Sequence, residues 1–298
     1  MDKSKKGLIA ASSAMILWGL LPVYWKQMSD VPAYEILSHR IIWSLVASSL
    51  LLIPGNRWAA VRDVIGNRKN LYMLMTSGTI IASNWLLYIW AVNKGYIIQC
   101  SLGYFINPLL NVLLGFLVFK DALRKVQWWA IGLAAAGVAY QIVQYGRFPW
   151  ISLGLACSFT IYGLIRKLAS VESLPGLFVE TAFLSVPAGA FLLWTALSGS
   201  GAFPGAGAKT SLLLMGTGVI TSVPLIWFVW GARNLSLVTV GLLQFVAPTL
   251  QFGLGYWVYH ESFSSAQMVT FAAIWVALTI YTVDSFIHRP SPKIADQV

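Results

Sequence analysis

Three ionisable side chains stand together in the run PAYEILSHRIIWS, Pro32 to Ser44: Glu35, His39 and Arg40. At helical spacing Glu35 and His39 share a face, while Arg40 points about 100° away. With a helix start near Ala33, a rise of about 1.5 Å per residue places His39 and Arg40 roughly 9–11 Å along the axis. Such a set can gate a passage, take up a proton, or hold an anionic group on the guanidinium. It can equally be a structural ion pair of Glu35 with His39 or Arg40. Glu180 is a second acid inside an apolar run, open either to proton coupling or to pairing with Arg166 or Lys167.

Neutral polar and aromatic groups recur at helical intervals. Asn84, Trp85 and Tyr88 come first, with Asn84 and Tyr88 on one face. Tyr104, Asn107 and Asn111 follow at i, i+3 and i+7 around Pro108, and Gln244, Pro248 and Gln251 come later. Pro224, Trp227 and Trp230 complete the set. Amides with aromatics suit a small polar or amphipathic solute, giving directed hydrogen bonds plus apolar contact. The same amides can simply join helices to one another. Pro108, Pro224 and Pro248 are expected to kink the helices that carry them.

No Gly-x-x-x-x-Gly-Lys-Ser/Thr, His-Glu-x-x-His, Cys-x-x-Cys or Gly-x-Ser-x-Gly string occurs, and the histidines are His39, His260 and His288. ATP therefore does not drive this chain directly, no metal or other cofactor is expected, and catalysis has no motif to stand on. Cys100 and Cys157 read as small buried hydrophobes.

What positions these groups is a succession of about ten apolar stretches between Gly7 and Phe286, each long enough to cross a bilayer. With 58% hydrophobic and 10% charged residues among 298, an ordinary soluble domain is excluded. Lipid is then the solvent, which confines the backbone to closed hydrogen-bonded helices. A net charge of +10 brings no nucleic-acid surface with it, because the basic residues lie in short connections between apolar runs. The first run follows Lys3, Lys5 and Lys6 but carries Trp18 and Pro22 without a small-x-small site, so it reads as a retained helix. The expected spans are 7–27, 33–54, 70–92, 99–119, 126–144, 148–167, 176–197, 210–231, 236–259 and 266–287. Trp58, Trp128, Trp129 and Trp150 at span ends read as interfacial anchors.

Charge sets the direction. With the N-terminus inside, inner connections hold Lys3, Lys5, Lys6, Arg57, Arg62, Arg68, Lys69, Lys120, Arg124, Lys125, Arg166, Lys167, Arg233, Arg289 and Lys293. Outer connections hold only Lys26, Lys94, Arg147 and Lys209, and Arg40 lies within a span. Both termini are therefore expected in the cytoplasm.

The halves also resemble each other. Shifted by 140, SLGYFINPLLNVLLGFLVFKDALRKVQ (Ser101 to Gln127) lies without a gap on GLLQFVAPTLQFGLGYWVYHESFSSAQ (Gly241 to Gln267). Pro108 meets Pro248, Gly115 meets Gly255, Asp121 meets Glu261, and Gln127 meets Gln267. Asp121 and Glu261 are expected to cap or bridge the helix that follows each. Five spans per half is odd, so the second half must enter the membrane inverted, a construction in which one half rocks against the other.

This twice-repeated pattern of Pro, Gly-spaced helix, acid and Gln-led helix resembles the EamA pattern of the drug/metabolite transporter superfamily. PAYEILSHRIIWS, NWLLYIWAVN, SLGYFINPLLN and MVTFAAIWVAL resemble its RarD branch, over essentially the whole chain. Asp121 replaces the Glu usual at that position, and Lys120-Asp121 stands for a Gly-Glu pair. The resemblance implies an all-α membrane protein with ten transmembrane helices as two inverted repeats, 1–145 and 146–288, then a cytoplasmic tail, 289–298. It further implies a permease of the bacterial inner membrane, and export rather than import. The cargo is expected to be a small polar or amphipathic metabolite or drug, held by Asn84, Trp85, Tyr88, Tyr104, Asn107, Asn111, Trp227, Gln244 and Gln251. Glu35, His39, Arg40 and Glu180 would gate or couple, with protons as a second partner; facilitated diffusion would need no coupling. A lipid-headgroup flippase and an intramembrane enzyme are the alternatives.

Overall fold

The computed structural model describes residues 2–54, 57–120, 122–146, 148–169 and 171–287. Asp121, Arg147, His288, Arg289, Lys293 and the expected tail 289–298 lie outside the described residues. Within them every regular element is helical: α1 (Lys3–Lys26), α2 (Ala33–Leu52), α3 (Trp58–Gly66), α4 (Arg68–Asn93), α5 (Ile97–Phe119) and α6 (Lys125–Tyr145). Then come α7 (Trp150–Ala169), α8 (Ser173–Leu197), α9 (Ala208–Arg233), α10 (Leu237–Leu243), α11 (Val246–Gly253), a π-helical turn (Leu254–Val258) and α12 (Ser265–Ile287).

Eight of these are long and apolar enough to cross a membrane: α1, α2, α5, α6, α7, α8, α9 and α12. α4 is as long as α9 but opens on Arg68, Lys69 and Asn70 and carries Asn84 and Asn93. The expected single span 236–259 is instead three pieces. Pro248 explains the first break: it has no N–H, and its ring crowds the carbonyl four residues back, on Gln244. The chain responds there with a tighter bond from Phe245 N–H to the Leu242 carbonyl, 3.2 Å. Pro108 and Pro224 lie inside continuous helices.

The stretch from Gly55 to Asn70, a polar interruption by composition, contains the short α3. Its Val61 and Val64, at i and i+3, are buried against Leu174 and Val179 of α8 and Leu52 of α2. That small apolar stripe is what holds it to the bundle.

Packing pairs α1 with α9 and α11, α2 with α8 and α9, and α4 with α7 and α8. It also pairs α5 with α7 and α11, and α6 with α12. Small residues let α6 approach α12 closely: a Cβ on Gly137 would stand 2.8 Å from the Ala273 Cβ of α12. There the Thr270 hydroxyl donates to the Gly137 carbonyl at 2.8 Å.

Helix starts recur. α2 begins at Ala33 and α8 at Ser173, α4 at Arg68 and α9 at Ala208, α5 at Ile97 and α10 at Leu237, α6 at Lys125 and α12 at Ser265. The matched glutamines do the same local job, each reaching back to an N–H ahead of its helix. Gln127 Oε1 accepts from Arg124 N–H at 3.1 Å, and Gln267 Oε1 from Ser264 N–H at 2.8 Å.

Candidate functional site

A cavity of about 1140 Å³ runs along the second half of α5, bounded by α7, α10 and α12. Pro108, Asn111, Thr160, Gln244, Phe245 and Tyr281 line it, and it continues to Phe119, Lys167 and Phe286 at the helix ends. Asn111 and Gln244 therefore line one cavity. Thr160 was not anticipated; a lone Thr in SFTIYG carries no signal beyond its polarity. Its hydroxyl donates to Asn107 Oδ1 at 2.5 Å, which turns Asn107 toward α7 instead of the cavity.

Two other expected cavity amides also reach across helix interfaces. Asn84 Nδ2 donates to the Leu155 carbonyl at 3.0 Å and to Ser158 Oγ at 2.8 Å. Gln251 Nε2 donates to the Trp18 carbonyl at 3.1 Å, tying α11 to α1. Each leaves its carbonyl oxygen buried without a partner among the described residues. Trp227 and Trp230 are exposed on α9 and line neither this cavity nor the second one described below.

The Arg40 environment is built by five helices. Buried on α2, it donates through Nε to Thr221 Oγ1 of α9 at 3.0 Å. Its guanidinium carbon lies 4.0 Å from the centre of the Trp85 ring of α4 and 5.4 Å from that of Trp25 of α1. Tyr88 of α4 and Tyr104 of α5, with ring centres 5.8 Å apart, complete its surroundings. The Tyr88 hydroxyl is buried without a partner among the described residues. Glu35 does not pair with Arg40 or His39. Its Oε1 accepts the Ala202 backbone N–H of the α8–α9 connection at 2.6 Å. His39 packs against Phe203 of the same connection, ring centres 5.2 Å apart.

Glu180 does find Arg166, Oε1 to Nη1 3.5 Å, and Ser77 Oγ donates to it at 2.6 Å. The Tyr162 hydroxyl donates to its other oxygen at 3.5 Å. The acid is thus enclosed by a cation and two hydroxyls.

At the opposite end of α5, Glu261 caps not the following α12 but α5 itself. Its two oxygens accept Ile97 N–H at 2.7 Å and Ile98 N–H at 2.8 Å. Burial raises the Glu261 carboxyl above its usual range, opposed by the Ile98 and Ile97 N–H groups and by Lys26. A Cβ on Gly255 would stand 2.8 Å from Ile98 Cγ1, so a glycine is needed for this approach. Beside it a second cavity, about 510 Å³, is lined by Trp90, Gln99, Gln141, Trp150, Glu261 and Gln267. Trp128, Trp129 and Trp150, expected as anchors, are all exposed, and Trp150 also packs on Trp90 at 5.5 Å between ring centres. Trp58 instead packs against Phe178 of α8 at 5.1 Å.

Comparison with known proteins supplies the context. Residues 5–142 match the model of the EamA-like transporter family. An uncharacterized transporter of Vibrio cholerae serotype O1 is 42% identical over 281 residues, covering 94% of this chain and 93% of the relative. Protein RarD of Escherichia coli (strain K12) is 40% identical over 284 residues, covering 95% and 96%. The uncharacterized transporter YojE of Bacillus subtilis (strain 168) is 43% identical over 286 residues, covering 94% of each. A solved structure described as "Crystal structure of protein" superposes with a TM-score of 0.59 at 17% identity, over 96% of this chain and 99% of that one, a likeness of fold alone.

Proposed function

The chain belongs to the EamA-like transporter family, in its RarD-like branch, and on that premise we propose a secondary carrier working by alternating access. Its cargo is a small polar or amphipathic solute, and its site is the bacterial inner membrane. The observation that carries the reading is the asymmetry of α5. Its first turn is tied down by Glu261, while its second half borders a cavity of about 1140 Å³. A passage closed at one face and open toward the other is one end state of a carrier cycle.

Ten spans in two inverted repeats, 1–145 and 146–288, fit this reading. The shared helix offsets support it, and so does the packing. Exchanging each first-half helix with its counterpart turns α1 on α9 into α7 on α4, α1 on α11 into α7 on α5, and α2 on α9 into α8 on α4. The pairs α2–α8, α5–α11 and α6–α12 exchange into themselves. With both termini cytoplasmic, as the basic residues favour, the large cavity faces the cytoplasm and loads from there, which suits export. Asn111 and Gln244 are its polar contacts, Tyr281 and Phe245 its apolar ones. Glu35 and His39 bias which face opens through the α8–α9 connection they touch. Glu180, enclosed as it is, serves mainly to hold α4, α7 and α8 together.

A flippase for lipid headgroups is the second reading, favoured by one feature. The cavity is bounded by α10 and α12, which make little contact with each other and so leave a sideways route into lipid. An untargeted comparison of solutes inside and outside cells, with and without the protein, tests the carrier. Movement of labelled phospholipid between leaflets of reconstituted vesicles, without solute movement, selects the flippase.

A further inference from the structure

We propose that Arg40 is the anchor for the cargo's negative charge, and that the cargo is a monoanionic carboxylate with an apolar or aromatic body. This rests on the carrier reading and narrows it. Arg40 is 7% exposed on a membrane-spanning helix, where an unpaired charge is costly. No carboxylate pairs with it among the described residues, because Glu35 is committed to Ala202 and Glu180 to Arg166. Only Nε has an acceptor, Thr221 Oγ1; the two amino groups have none among the described residues. The guanidinium carbon lies over the Trp85 ring at 4.0 Å and the Trp25 ring at 5.4 Å. The two indoles hold the cation in place while its amino groups keep their donors, which a carboxylate can take in two parallel hydrogen bonds.

The surroundings favour donors over acceptors. Tyr88 Oη and Trp25 Nε1 are both buried with no partner among the described residues. A carboxylate has lone pairs for the guanidinium edge and for such donors together. The charge count selects a monoanion, since one guanidinium balances one negative charge and a dianionic phosphate would leave another uncompensated in a low-dielectric site. The indoles supply apolar area for the rest of the solute.

The test is the charge of what moves. Solutes are compared without targeting in cells that lack the protein, carry it, or carry Arg40→Lys or Arg40→Gln. The expected result is that the solutes redistributed by the wild type are carboxylates of charge −1 at pH 7. Arg40→Lys keeps the charge but loses the planar fork, so the redistribution falls about tenfold; Arg40→Gln abolishes it. Should the wild type redistribute only neutral or cationic solutes, the anion anchor is overturned while the carrier reading stands. The same holds if Arg40→Lys transports as well as the wild type and Arg40→Gln merely fails to accumulate, since Arg40 would then be a structural cation. If the wild type redistributes nothing, the carrier reading itself falls and the anchor with it.

Discussion

Glu261 and Ile97 lie 164 residues apart in the chain, yet the carboxylate accepts the Ile97 N–H at 2.7 Å and its neighbour's at 2.8 Å. An acid from the second half thus supplies the N-terminal cap of a helix in the first. In the alternating-access cycle proposed above, this contact would hold one face closed.

Glu261→Ala should therefore loosen that face. Two α5 N–H groups lose a charged acceptor in the closed form but regain water in the open one, shifting the balance by about 1–3 kcal/mol toward opening. Cys100, fully buried one turn along α5, is a native reporter once the exposed Cys157 is replaced by serine. Its reaction with a membrane-impermeant maleimide should quicken about tenfold or more. Unchanged labelling would mean that the cap does not hold the face closed.

Acid should tighten the same contact. Burial lifts the Glu261 carboxyl above its usual range in the capped form. A proton then binds the capped form more tightly than a solvated one, so closure gains as pH falls through that raised range and loses as pH rises above it. The rate of Cys100 labelling in the wild type, divided by that in Glu261→Gln, should fall as pH is lowered through the carboxyl's raised range. A flat ratio would reject the linkage.

Glu180 with Arg166 is expected to be structural. Glu180→Gln leaves the guanidinium without its counter-charge and weakens the Ser77 bond, so stability should drop by about 3 kcal/mol, read as a lower unfolding temperature in detergent. Pairing Glu180→Leu with Arg166→Met should recover more than half of that loss. If Glu180→Gln keeps its stability but flattens the pH dependence of transport, Glu180 couples protons instead.

The helices were legible in the sequence because they are written in local pattern. Apolar run length marks the spans, and a shared offset aligns Pro108 with Pro248 and Gln127 with Gln267. Asn111 and Gln244 were legible as polar positions on matched helices. What stayed hidden depends on contacts with distant segments. Glu35 could be seen beside His39 and Arg40, but its partner is a backbone N–H at Ala202, in a Gly/Pro-rich connection far along the chain. Nothing local marks Glu261 as a cap for α5 rather than α12. The span 236–259 breaks ahead of Pro248, one of the prolines expected to kink, whereas Pro108, in the same register, lies inside a continuous helix.

Close approach of α2 and α9 sets the position of Arg40, and Gly218 allows it. A Cβ there would stand 2.9 Å from the Ser44 backbone nitrogen and closer still to the Trp43 carbonyl oxygen. Backbone cannot yield as a side chain can, so Gly218→Ala should push the helices apart at a cost of about 1–3 kcal/mol. The unfolding temperature should fall, and transport should fall further than in Gly132→Ala, where an added Cβ meets open space. Equal behaviour of the two variants would show that the crossing tolerates separation.

Orientation is the last expectation, and it follows from where cations are cheap. Arg166 and Lys167 at the end of α7, Arg233 at the end of α9 and Lys125 at the start of α6 all fall on one face if the spans alternate. The connection from Ser198 to Gly207 falls on the other and carries no basic residue. Basic segments are retained in the cytoplasm during insertion. A fluorescent protein fused after Val298 should therefore fold and fluoresce, while alkaline phosphatase fused there stays inactive. Phosphatase inserted after Gly201 should be active. The reverse pattern would place the large cavity on the outside, and with it the loading step that export requires.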